Sequence, residues 1–121
     1  VAPLIGPSSL LLALMASGFN GQRFAFQGYL PAKDAERVKA LREIEIESRK
    51  RGQTQIFIET PYRNRQLFDS ILQTCQPGTR IAVATDLSLH GESVRTRTVL
   101  QWKKETPPEI ERHPTVFLLL A

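Results

Sequence analysis

The sequence predicts an α/β domain with a mixed, mostly five-stranded sheet and helices on its faces. Short apolar segments typical of buried strands alternate along the chain with longer segments of helical periodicity. Two or three residues of loop separate most of these segments, and no internal repeat interrupts them. Alternation of this kind is typical of a sheet covered by helices. The 121 residues are enough for one domain with a buried core.

The amino-terminal part of the chain is predicted to hold a helix, a strand and a longer helix. Ser8 and Ser9 can cap a helix over residues 10–16, which are all apolar and therefore typical of a helix buried on most sides. A short strand is expected over residues 24–29. The long helix is predicted to run from Asp34, as its N-cap, to about residue 51, where Gly52 ends it.

The long helix has an apolar stripe and a strongly charged face. Apolar residues at positions 35, 38, 40, 41 and 44 predict the buried stripe, and Arg37 belongs to the opposite, charged face. Glutamates interleave with the basic residues, which favours a solvated face with pairs along the helix; a patch that faces RNA is the alternative. The net charge of +4 and the pI near 9.6 permit contact with a polyanion without requiring it.

The remaining elements follow from shorter patterns. Residues 55–58 and 80–84 are predicted to be buried strands, and the helix between them has apolar residues 67, 68, 71 and 72 on one side. Residues 94–102 alternate between polar and apolar and predict a half-exposed strand. A short acidic turn over 107–111 precedes a final strand over 115–120. No apolar segment is long enough to span a bilayer, so we expect no membrane partner.

Several classes of enzyme are excluded by the residues that are missing. The sequence has no cluster of histidine and cysteine with metal-ligand spacing, no serine in a nucleophile-elbow context, no Walker loop and no G-x-G-x-x-G. A nucleotide-like cofactor would therefore need most of its contacts from outside this chain. The single cysteine, Cys75, is interpreted as a small hydrophobic residue.

Two polar segments follow predicted strands, where ligands of such sheets bind. Residues 59–63 place a carboxylate, a hydroxyl, a phenol and a guanidinium directly after a buried strand, which indicates a site. The alternative is that Thr60 and Pro61 only begin the next helix and that Arg63 pairs with Glu59 or Asp69. Residues 86–92 form the second polar segment.

Three motifs follow one another along the chain: P-L-I-G-P-S-S at 3–9, G-Y-L-P-A-K at 28–33 and F-I-E-T-P-Y-R at 57–63. In this order they resemble the C-terminal domain of the tetrapyrrole methylase superfamily of S-adenosylmethionine (SAM) dependent methyltransferases. The motifs are most similar to the branch that methylates a ribose 2′-hydroxyl of small-subunit ribosomal RNA. The resemblance extends over nearly the whole chain.

The resemblance implies that residues 1–121 are one domain of a two-domain enzyme. Neither end of the chain looks like a natural terminus, and the N-terminal domain with the glycine-rich SAM loop is expected to precede it. SAM would lie in the cleft between the domains, so this domain alone would be inactive. A homodimer in the cytoplasm, acting on ribosomal RNA, is expected.

Site residues are carried over from the family position by position. The resemblance assigns the cofactor to Ser8, Ser9, Glu59, Leu87, Pro114 and Thr115. We expect Lys33, Tyr62 and Arg63 to bind the acceptor. No catalytic residue is assigned, because a sulfonium donor is already activated and the enzyme has mainly to align the methyl group with its acceptor and to exclude water.

The sequence departs from the ribosomal RNA branch at two places, which leaves the acceptor open. Residues 86–92 lack the arginine and lysine that the branch has after this strand, and Tyr62 stands where the branch has histidine. The alternatives are a tetrapyrrole or other small-molecule methyltransferase, a nucleic-acid-binding module without catalysis, and a structural domain used for dimerisation.

Overall fold

The computed structural model describes residues 23–85, 93–105, 107–108, 110 and 115–121. The strands are β1 (Phe24–Tyr29), β2 (Thr54–Ile58), β3 (Arg80–Thr85), β4 (Ser93–Thr98) and β5 (Thr115–Leu120). The helices are α1 (Asp34–Arg51), α2 (Asn64–Thr74) and α3 (Val99–Lys104), and a 3₁₀ turn, Pro61–Arg63, precedes α2. The helix predicted over residues 10–16 lies outside the described residues.

The five strands form one mixed sheet in the order β1-β2-β5-β3-β4. β1 pairs with β2 in parallel, whereas β5 is antiparallel to both β2 and β3, and β4 is antiparallel to β3. β1, β2 and β3 therefore end at the same side of the sheet, where β4 and β5 begin. We call this side the carboxyl end of the sheet. The predicted fold class, a mixed five-stranded sheet with helices, is confirmed.

The three helices pack on one face of the sheet around a cluster of aromatic side chains. Phe57 of β2 stacks on Phe117 of β5 with 6.0 Å between the ring centroids. Phe68 of α2 meets Trp102 of α3 edge-on at 5.3 Å. The Trp102 indole nitrogen donates a hydrogen bond of 3.0 Å to the Ile81 carbonyl, which satisfies the polar group of this buried ring.

A second apolar cluster lies on the opposite face of the sheet. Its buried members come from β2, β3 and β5, namely Ile56, Ile58, Ala82, Ala84, Val116, Leu118 and Leu120. The central strands are therefore buried on both faces, as the near-continuous apolar sequence of β5 predicts.

The prediction of a strand over 94–102 is wrong for the second half of this range. β4 ends at Thr98, and Trp102 belongs to α3. The Thr98 hydroxyl accepts from the Gln101 amide at 3.1 Å, and the Gln101 side chain accepts from the Thr98 amide at 2.9 Å. This is a capping box, and the T-x-x-Q spacing that builds it outweighs the polar–apolar alternation.

Helix α1 has the predicted length but a different first turn. Asp34 is the first helical residue, and the N-cap position is held by Lys33 without a side-chain hydrogen bond. Gly52 ends the helix as predicted, with φ of 58°, a left-handed conformation that glycine adopts without steric cost.

The prediction that Arg37 lies on the solvated face of α1 is wrong. Arg37 is 5% exposed. Its guanidinium donates to the Ser70 hydroxyl of α2 at 2.9 Å, to the Ala32 carbonyl at 3.2 Å and to Asp34 at 3.1 Å. The aliphatic stem is buried with the helix face, and each of the three guanidinium nitrogens has an acceptor. The burial of the charge is therefore compensated. The side chain thereby attaches the β1–α1 loop to α2.

Two further polar residues of α1, Glu45 and Ser48, are also buried. Glu45 accepts a hydrogen bond of 2.7 Å from the Gln76 amide and another from the Thr79 hydroxyl, so it closes the turn between α2 and β3. Burial, with Glu45 nearby, raises the pKa of the Cys75 thiol to about 12. Cys75 is therefore protonated at neutral pH and packs as a small apolar side chain, as the sequence predicts.

We expect Arg37→Met to lower the free energy of unfolding by about 1–3 kcal/mol, because it leaves the Ser70 hydroxyl and the Ala32 carbonyl without their donor. The matched control is Arg42→Met, an exposed position on the same helix, where a change within about 0.5 kcal/mol is expected. Urea denaturation of both variants measures the difference. Equal stability of the two variants would contradict the role of Arg37.

Candidate functional site

The carboxyl end of the sheet brings together the ends of β2 and β3 and the start of β5. Ile58 pairs with Val116, and Thr85 pairs with Thr115. Glu59, the residue after β2, therefore lies beside the first residue of β5. Ligands of open α/β sheets bind at this end of the strands.

Glu59 is a buried carboxylate directly after β2. The residue is 4% exposed. Its Oε1 accepts from the Thr60 amide at 2.8 Å, whereas Oε2 has no hydrogen-bond partner among the described residues. A buried polar atom without a partner is costly and uncommon in folded proteins. The geometry thus leaves an acceptor for a donor group of a ligand.

The alternative pairing of Arg63 is not seen. No ion pair joins Arg63 to Glu59 or Asp69 within the part of the chain that the structure describes. Instead, the Arg63 guanidinium lies 5.3 Å from the centroid of the Tyr62 ring. Tyr62 itself is 72% exposed. A cation and an aromatic ring thus meet at the surface, three residues after the buried carboxylate.

The 3₁₀ turn that carries Tyr62 is held by the backbone at both ends. Pro61 occupies its first position, and the Arg63 amide donates to the Thr60 carbonyl at 2.8 Å. The amide of Asn64 donates to the Pro61 carbonyl. Proline fixes φ near the helical value, which reduces the number of conformations available to the turn.

Asn64 anchors the turn to β5, and sequence reasoning missed it. Its buried amide donates to the Ile110 carbonyl at 2.9 Å and to the Thr115 hydroxyl at 3.1 Å. The signal was present, because Asn64 has the spacing of the buried face of α2 with Leu67, Phe68 and Ile71. An amide at an apolar position of a helix indicates a specific hydrogen-bond partner.

The structure places five of the predicted site residues at the carboxyl end. Lys33 is exposed in the loop after β1, and this loop is attached to α2 through Arg37 and Ala32. Glu59, Tyr62 and Arg63 follow β2, and Thr115 begins β5 with its side chain buried. Four predicted cofactor residues lie outside the described residues, namely Ser8, Ser9, Leu87 and Pro114. The binding roles of all nine residues stay predictions.

Two negative findings hold for the described ranges only. There, no three histidine, cysteine, aspartate or glutamate side chains come together as a metal site. Within the same ranges, none of the helices has the length and apolar character needed to cross a membrane.

Comparison with known proteins gives relatives over almost all of the chain. The chain is 34% identical over 108 residues to "Ribosomal RNA small subunit methyltransferase I" of Escherichia coli O157:H7, which covers 87% of this chain and 36% of that protein. The protein of the same name from Xylella fastidiosa (strain Temecula1) is 32% identical over 122 residues, covering 100% of this chain and 43% of the relative. The chain thus spans about two fifths of the length of these relatives. No protein-family model matches the chain.

Solved structures share the fold at low sequence identity. The methyltransferase CobJ matches with a TM-score of 0.59 and 18% identity, over 92% of this chain and 46% of that one. A cobalamin biosynthetic enzyme, cobalt precorrin-4 methyltransferase, matches with a TM-score of 0.58 and 11% identity, over 93% and 48%. The order of the motifs, the five-stranded mixed sheet and the named relatives agree. The chain shares the fold of these methyltransferases, and its sequence matches part of the ribosomal RNA small subunit methyltransferases I.

Proposed function

We propose that this chain is part of a SAM-dependent methyltransferase that acts on a ribose 2′-hydroxyl of small-subunit ribosomal RNA. It supplies one wall of the cofactor and acceptor cleft. The observation that carries the proposal is the buried Oε2 of Glu59 at the carboxyl end of the sheet, which has no hydrogen-bond partner among the described residues. It lies within the motif that the chain shares with the family. The relatives at 32–34% identity, which are named as ribosomal RNA methyltransferases, support the same acceptor.

The chemistry of SAM fits the residues at this end. SAM carries hydroxyl and amino donors and a positive sulfonium, and a buried carboxylate oxygen can accept from a donor or stabilise a positive charge. When bound, SAM supplies a methyl group that needs no further activation. The chain's own contribution is to hold the cofactor through Glu59 and through the residues assigned from the family, namely Ser8, Ser9, Leu87, Pro114 and Thr115.

The acceptor is proposed to meet Lys33, Tyr62 and Arg63. Lysine and arginine at the surface attract phosphates, and an exposed aromatic ring can stack on a base. These three residues lie in loops at the same end of the sheet as Glu59. RNA that contacts these residues would therefore have its ribose near the cofactor. The charged face of α1 is not needed for this contact.

The complete enzyme is proposed to contain an N-terminal domain, to form a homodimer and to act in the cytoplasm. Half of the cofactor contacts would come from the N-terminal domain, so this chain alone is expected to be inactive. CobJ and the cobalamin biosynthetic enzyme share the fold, but at 11–18% identity they do not favour a tetrapyrrole acceptor over RNA.

We expect Glu59→Gln to weaken binding of S-adenosylhomocysteine by about 10- to 150-fold, because a hydrogen bond to a charged acceptor contributes about 1.5–3 kcal/mol. Calorimetric titration of the full-length protein measures the affinity. The matched control is Glu43→Gln, an exposed carboxylate on α1, which is expected to bind like the wild type. If Glu59→Gln also binds like the wild type, Glu59 does not contact the cofactor.

Methyl transfer itself is tested with the full-length protein, labelled SAM and small-subunit ribosomal RNA. After nuclease digestion, mass spectrometry of the nucleosides is expected to find the label on a ribose. Label on a base, or no label, would contradict the proposed reaction. RNA binding without transfer would favour the binding module that the sequence left open.

A further inference from the structure

Tyr62 differs from the other residues of its turn, because its large side chain points to solvent. It is 72% exposed, whereas Glu59 before it and Asn64 after it are 4% and 0% exposed. Leaving a large aromatic ring in water gives up the free energy of its burial. The turn therefore presents the ring although the adjacent backbone is tightly packed.

The ring is presented on a pre-organised support. Glu59 accepts from the Thr60 amide, Pro61 begins the 3₁₀ turn, and Asn64 attaches the end of the turn to Thr115 and Ile110. A tyrosine side chain has only two main torsions, so a ligand that contacts it on a fixed backbone loses little conformational freedom.

The contact with Arg63 also distinguishes Tyr62 from the other aromatic residues that lie beside an arginine. Arg65 and Arg95 also lie over rings, at 5.7 Å from Phe68 and 4.7 Å from Trp102, but both rings are 1% exposed. Among the described arginine–aromatic pairs, the pair of Tyr62 and Arg63 is the one with an accessible ring. A positive charge beside an exposed π face fits a ligand that has both a flat aromatic group and a phosphate.

We propose that Tyr62, supported by Arg63, is a stacking platform for an unpaired base of the RNA acceptor. This rests on the proposed function and specifies the form of its substrate. In a duplex, each base is stacked on its neighbours and offers no π face, whereas a single-stranded or extruded nucleotide does. The enzyme then selects single-stranded RNA at the position next to the cofactor, and Arg63 adds attraction to the phosphate backbone.

The test uses the full-length protein and a single-stranded oligoribonucleotide that contains 2-aminopurine, whose fluorescence falls when it stacks on an aromatic ring. Tyr62→Ala is expected to bind this RNA about 5- to 150-fold more weakly than the wild type and to lose the fluorescence change. Tyr62→Phe keeps the ring and is expected to retain both. The same RNA annealed to its complement is expected to bind more weakly to the wild type and equally to all variants.

The matched control is Phe24→Ala, which removes a ring that is 43% exposed at the start of β1, at the opposite end of the sheet. It is expected to bind RNA like the wild type. Wild-type affinity for Tyr62→Ala, or equal losses in Tyr62→Phe and Tyr62→Ala, would overturn the stacking role. Because binding is read without turnover, absence of methyl transfer by the wild type would count against the proposed function and not against this inference.

Discussion

The pairing of β5 between β2 and β3 is the constraint on which the candidate site depends. β5 is buried along its whole length and forms antiparallel ladders with both neighbours. A shift of register by one residue would turn its alternating side chains to the wrong faces. The observed register fixes Thr115 beside Thr85 and next to the end of β2. The loop ends that carry the polar residues are thus aligned by the core itself.

The polar residues at this end are held by hydrogen bonds that continue from the core. Asn64 joins α2 to β5, and Glu59 uses one carboxylate oxygen for its own backbone turn. On the other side of the turn, Arg37 attaches the loop of Lys33 to α2. The groups proposed to contact ligands are therefore placed in advance, which lowers the entropic cost of binding. Where the strands end, the described residues leave Glu59 Oε2 without a hydrogen-bond partner and the Tyr62 ring exposed.

Much of the fold could be predicted from the sequence, because burial and period agree in β2, β3 and β5. The errors have a common cause. Arg37 and Asn64 both have the spacing of a buried helix face. The charge of Arg37 predicted exposure, and no role was predicted for the polar Asn64. At Thr98 a capping box ended a strand that polar–apolar alternation extended. In each case a side-chain hydrogen bond, formed with a residue distant in sequence or three positions away, outweighed a pattern based on hydrophobicity alone.

The candidate site was predictable only in part, because its residue types can be read from the sequence but the contacts of its side chains cannot. Residue type and position after a strand indicated Glu59, Tyr62 and Arg63, and the family motif assigned their roles. Which of them is buried, and that Arg63 lies over Tyr62 instead of pairing with Glu59, depends on three-dimensional packing. The local sequence allows both arrangements of Arg63.

The most direct test of the account is hydrogen–deuterium exchange of the full-length protein with and without S-adenosylhomocysteine. The account predicts that the ligand slows exchange in peptides that cover residues 59–64 and the start of β5, because binding to the native state protects the backbone that it orders. Peptides around Thr98 and Gly78, at the opposite end of the sheet, are expected to be unaffected. Protection confined to that opposite end, or none within this chain, would contradict the claim that the carboxyl end of the sheet forms a wall of the cofactor site.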